Sequence, residues 1–105
     1  MGSQELVFLL LTIAIEAPIA LLLLYQKESW KRVLLASIFV NMISHPIAWF
    51  LVMHGSSWLF VEVLVALLEA TLFALVFPRS RQRAAIAAVI MNLVSAAVGL
   101  IISSI

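Results

Sequence analysis

The chain predicts an all-α membrane protein, a four-transmembrane-helix antiparallel bundle with both termini on the outer side, and three observations lead there. Of its 105 residues 66% are hydrophobic and only 10% charged, with a mean hydropathy of +1.25. That is more apolar surface than a soluble domain of this size can bury. Four apolar stretches, at roughly 5–25, 33–54, 58–77 and 84–104, are each long enough to cross a hydrocarbon core of about 30 Å at about 1.5 Å per residue. Every Lys and Arg falls in two of the three connections: Lys27, Lys31 and Arg32 in the first, Arg79, Arg81 and Arg83 in the third. The positive-inside rule places those two connections in the cytoplasm, as in a multi-pass protein of a bacterial inner membrane. Connections this short make successive helices antiparallel neighbours within one membrane domain, residues 1–105. The basic residues are expected only to set topology, with lipid-headgroup binding as the alternative.

The first stretch, 5–25, carries Glu5 and no Lys or Arg at its start, and no small-x-small cleavage site follows it. Its apolar length exceeds the about 7–15 residues of a signal-peptide core, so it reads as a membrane helix. Glu16 falls near its centre. The second stretch, 33–54, ascends with Asn41 at mid-depth and Ser44, His45 and Pro46 about a turn further out; His54, beside Gly55, ends it as an interfacial residue. The third, 58–77, has Glu62 about a turn below the outer surface and Glu69 near the middle. The fourth, 84–104, has Asn92 and Ser95 at the centre and a small-residue face of Ala84, Ala88, Ser95, Gly99 and Ser103, which permits close helix approach within the bundle or between subunits. Tyr25, Trp30 and Trp58 lie near segment ends as an aromatic belt does, while Trp49 is deeper and is placed to pack over His45.

All four helices thus bring a polar side chain to one layer. Asn41 and His45 are four residues apart, Glu62 and Glu69 seven, and Asn92 and Ser95 three, so each pair shares a helix face. Turned inward, these faces gather a binding site of Glu16, Asn41, His45, Glu62, Glu69 and Asn92. Intramembrane ionisable groups are expensive and by default functional. Three acids with no Lys or Arg at their depth require that some be protonated or that a cation be present. Glu16, His45, Glu62 and Glu69 would suit zinc, iron or manganese as a divalent metal, and the acids with amides and carbonyls would suit a harder ion or a proton. Pro18 and Pro46 free the carbonyls of Ala14 and Met42 near this layer.

Several chemistries lack their signature. Val65 and Leu72 stand three residues after the two acids of the third helix, so the Glu-x-x-His of di-iron bundles is missing, as is His-Glu-x-x-His. His45 and His54 share one helix or its end, nine residues apart, and cannot clamp one haem within a monomer. Ser44 points about 100° away from His45 and does not form a nucleophile–base pair with it. With no cysteine, thiolate ligands and disulfides are excluded. Polar residues also join membrane helices at about 0.6–2 kcal/mol per contact, which is the simpler account of Asn92 and Ser95.

In length, helix count and a Glu central in the first helix, the chain is similar to the small multidrug resistance transporters, which exchange protons for cationic drugs at such a Glu. It lacks the aromatic and glycine motifs of their first three helices, and its Asn-x-x-Ser-His-Pro run is foreign to them, so no residue role is carried over. The expected function is cation or proton binding in an ion or proton-coupled transport component. A membrane-embedded metal-dependent enzyme and an accessory subunit that recognises a partner helix are the alternatives. The expected partners are the lipid bilayer and a second copy of the chain, through Ser95, Gly99 and Ser103 of the fourth helix, since four helices enclose no wide pore; no nucleic acid is expected.

Overall fold

The computed structural model describes the backbone of residues 3–104 and the side chains of 6–101. Four helices account for nearly all of it: α1 (Ser3–Leu24), α2 (Trp30–Met53), α3 (Trp58–Val76) and, after one 3-10 turn at Pro78–Ser80, α4 (Arg81–Ser104). All four are long and apolar enough to cross a membrane.

Two helices begin earlier than the apolar pattern indicates. α2 starts at Trp30 and α4 at Arg81, each three residues ahead of the first apolar residue taken as its start. Lys and Arg are good helix formers, and their long stems carry the charge to water while the backbone turns continue. Conformation, not charge, sets the ends. Ser29, extended at φ −61° and ψ 135°, precedes α2. The Ser57 hydroxyl caps α3 by accepting from the Phe60 N–H at 3.3 Å. Pro78 ends α3 by forcing Phe77 out of the helical region, to φ −119° and ψ 69°, and then opens the 3-10 turn. Between α2 and α3 the chain reverses over His54–Ser57, where Gly55 holds φ +91°, a left-handed value that a side chain disfavours.

The helices pack as a ring, each against its chain neighbours and α4 back against α1; the diagonal pairs α1–α3 and α2–α4 have no close backbone approach. One half of the ring is filled. Leu24, Val33, Val40, Phe73, Phe77 and Met91 are buried there with five alanines, Ala20, Ala36, Ala84, Ala87 and Ala88. Phe73 and Phe77 meet edge to face at 5.9 Å. Small residues inside and large ones outside is the membrane solution to packing, because lipid solvates Leu as well as a protein core does. Accordingly Leu22, Leu35, Phe39, Leu75 and Leu93 stand exposed around the bundle.

Pro18 and Pro46 lie inside α1 and α2 without ending them. Pro18, Ala14, Pro46 and Met42 are all exposed. The prolines therefore sit on outward faces and do not add carbonyls to the central layer as the linear spacing suggests: Glu16 and Pro18 are about 200° apart around α1.

Candidate functional site

Above the apolar half, one layer contains all the fully buried acids and amides among the described residues. Glu16 and Glu69 are each 1% exposed, Asn41 0% and Asn92 4%. The two carboxyl groups, on the diagonal helices α1 and α3, come within hydrogen-bonding reach of each other, and the Asn41 carboxamide lies beside Glu16.

The donors come from the other two helices. Ser44 Oγ on α2 donates to Glu69 Oε2 at 2.7 Å, and Asn92 Nδ2 on α4 donates to Glu69 Oε1 at 3.1 Å and to the Ala88 carbonyl at 2.9 Å. Ser95 Oγ on α4 donates to Glu16 Oε2 at 2.8 Å. Asn41 Nδ2 donates one of its two N–H groups to the Ser37 carbonyl at 2.8 Å. This leaves Glu16 Oε1 and Asn41 Oδ1 buried without any donor, with Ser37 Oγ unpartnered a turn below. Buried polar atoms are nearly always satisfied. At Glu16 Oε1 and Asn41 Oδ1 the missing partner is a donor, and no Lys or Arg among the described residues reaches the layer.

A cavity of about 350 Å³ runs from this layer to the bundle end where Phe8, Val52, Trp58 and Leu100 stand. Its lining includes the smaller side chains Ala48, Val61, Val65, Ala96 and Gly99, whereas Phe73 and Phe77 fill the opposite half of the bundle. The acids are thus reached from one side and closed off by the apolar core on the other.

His45 and Glu62 line the cavity above the acids and are both half-buried. Trp49 Nε1 donates to His45 Nε2 at 3.1 Å. An indole only donates, so Nε2 presents its lone pair and the neutral ring carries its proton on Nδ1. Phe8 flanks Trp49 at 6.2 Å between ring centroids. Glu62 has no hydrogen-bond partner among the described residues.

All six expected site residues therefore line one space, in two tiers. Glu16, Asn41, Glu69 and Asn92 form the buried tier, and His45 and Glu62 the outer one. Among the described residues no three of His, Cys, Asp and Glu converge as a metal-ligand set. His54 caps the end of α2, with Nδ1 2.8 Å from the Phe50 carbonyl and its ring stacked on Phe50 at 4.1 Å. On α4, Ala84 and Ala88 are buried inside the bundle and Ser95 bonds Glu16, while Gly99 is exposed; the Ser103 side chain lies outside the described residues.

Ser44 is the site residue that the sequence reading passed over. Asn41 and Ser44 lie about 60° apart around α2 on a buried stripe with Val33, Ser37 and Val40. That spacing was the available signal. His45, on the other flank of Asn41, is the less buried of the two. Ser95, read as helix glue, is the one donor to Glu16 with a defined bond. Comparison with protein-family profiles, characterised proteins and solved structures finds no match to this chain.

Proposed function

We propose that the chain is a multi-pass protein of a bacterial inner membrane, an antiparallel four-helix bundle with both termini outside, that binds a proton or small cation between Glu16, Glu69 and Asn41 as a component of ion or proton-coupled transport. The observation that carries the reading is the pair of orphan acceptors, Glu16 Oε1 and Asn41 Oδ1, beside a second buried carboxyl. Two carboxylates in contact and away from water cannot both remain charged without a compensating cation. A single proton on Glu16 Oε1 supplies the missing donor; a small cation does the same electrostatically through oxygen ligands.

A proton is favoured over zinc, iron or manganese because the one imidazole in reach has Nε2 engaged by Trp49. The same charge distribution that puts the basic connections inside turns the cavity outward, so His45 and Glu62 stand between the outer solution and the acids and serve as relay groups. Passage to the cytoplasm requires the Phe73–Phe77 core to part. A path wide enough for a solvated ion needs a second copy of the chain, and exposed Gly99, where an added methyl meets nothing within 4 Å, leaves room for one against α4.

The test is proton movement in liposomes containing purified protein, followed with a trapped pH dye under an imposed pH gradient, together with calorimetric titration of sodium and zinc. The wild type is expected to show proton uptake or cation binding that Glu16→Gln abolishes. Wild-type protein that neither takes up protons beyond protein-free liposomes nor binds either cation overturns the proposal.

A further inference from the structure

The opposite end of the bundle holds a second concavity, of about 690 Å³, lined by Lys27 and the run Pro78–Arg83. It is separated from the acids by the apolar core and plays no part in their chemistry. Four of the six basic residues line it: Lys27, Arg79, Arg81 and Arg83.

The other basic residues have structural occupations. Arg32 donates to the Val76 carbonyl at the end of α3 at 2.8 Å and sits 5.5 Å over the Phe77 ring. Lys31 lies 5.7 Å over Trp30. Within the concavity, Arg83 Nε ties the wall to α1 through the Leu23 carbonyl at 2.7 Å. Glu28, the only acid nearby among the described residues, accepts from Ser80 Oγ at 2.8 Å and so pins the 3-10 turn. Lys27, Arg79 and Arg81 remain, exposed and with no ion pair or hydrogen bond among the described residues. Arg81 and Arg83 also occupy the first turn of α4, where the positive end of the helix dipole disfavours cations. Lys27, Arg79 and Arg81, gathered beside that helix start and around a turn fixed by Ser80 and Arg83, form a basic cradle.

We infer that this concavity binds a phosphate group, carried on an anionic lipid headgroup or free in solution. Arginine forks match phosphate oxygens in paired hydrogen bonds. Tyr25 and Trp30, both exposed at this end, mark the depth at which headgroups lie.

Detergent-purified protein removes any dependence on membrane orientation. Native mass spectrometry measures how strongly it retains phosphatidylglycerol against phosphatidylcholine of the same acyl chains, and calorimetry measures inorganic phosphate. The expected result is selective retention of phosphatidylglycerol, weakened about 30-fold in the exposed double variant Arg79→Gln/Arg81→Gln, at about 1 kcal/mol per basic residue, and unchanged in Lys31→Gln. If inorganic phosphate binds and displaces the lipid, the ligand is free phosphate; if it does not, the ligand is the headgroup. Circular dichroism confirms that each variant is folded. Equal retention of both lipids with no phosphate heat, or a double variant that retains phosphatidylglycerol as the wild type does, overturns the inference.

Discussion

Glu69 separates a binding site from a structural pairing, because two substitutions at one atom-for-atom position have opposite expected effects. In Glu69→Gln the new carbonyl accepts from Asn92, and the new amide donates to Ser44, whose hydroxyl accepts as readily as it donates and turns its own proton back to the Val40 carbonyl. Both contacts of Glu69, at 2.7 and 3.1 Å, survive with their polarity rearranged, so the stability loss stays below about 0.6 kcal/mol, the mean worth of one hydrogen bond between membrane helices. Glu69→Leu removes both acceptors. Asn92 keeps the Ala88 carbonyl, but the Ser44 hydroxyl is stranded, and an orphaned buried donor costs about 1–3 kcal/mol. Back-bonding to the Val40 carbonyl would bring that toward the lower bound. For a chain of this length the Leu variant should melt lower by about 4–8 °C per kcal/mol lost, and the Gln variant close to the wild type. Both should lose proton or cation binding entirely. The measurements are thermal unfolding in detergent by circular dichroism and the liposome flux assay. Gln variant protein that carries protons or binds the cation like the wild type refutes the shared site. A Gln variant as unstable as the Leu variant refutes the hydrogen-bond geometry assigned to Ser44 and Asn92.

Two further outcomes are expected. Single cysteines in a chain that otherwise has none should report the topology: Ser56→Cys is labelled by an impermeant reagent from outside, and Ser80→Cys only after the membrane is opened, the reverse pattern inverting the assigned orientation. Phe73→Ala, at a residue with 0% exposure that meets Phe77 edge to face, should cost of order 3 kcal/mol and join the cavity above the acids to the basic end, seen as proton leak in liposomes; a variant that stays tight shows that the remaining core seals the bundle alone.

The acids and amides were legible because each is a polar residue at mid-depth of an apolar run, and depth is fixed by helix length alone. Glu16, Asn41, Glu69 and Asn92 were found that way. What depth cannot fix is azimuth: Ser44 and His45 flank Asn41 on either side, and which of them turns toward Glu69 depends on how α2 rolls against α3, a property of packing. Serine is also common in membrane helices for local reasons, since its hydroxyl bonds back to its own backbone, so a lone Ser44 carried little signal. The early starts of α2 and α4 were hidden because Lys31, Arg32, Arg81 and Arg83 end the apolar pattern without ending the helix. The one-sided cavity was illegible for another reason. It arises where Ala48, Val65, Ala96 and Gly99 from three helices line one space, a coincidence of side-chain sizes that no single segment reveals.

The wiring of the central layer bears on how the chain is assembled. Glu16 belongs to the first helix pair, yet its defined donor, Ser95, belongs to the last helix; Glu69 belongs to the second pair and takes Ser44 from the first. Because the chain is made in order, Glu16 lacks Ser95 and Ser44 lacks Glu69 until α3 and α4 have been synthesised. Each half of the chain taken alone is therefore an incomplete product, with polar groups whose partners lie in the other half, so the central layer ties the two helix pairs into one cooperative unit rather than two hairpins that could stand apart.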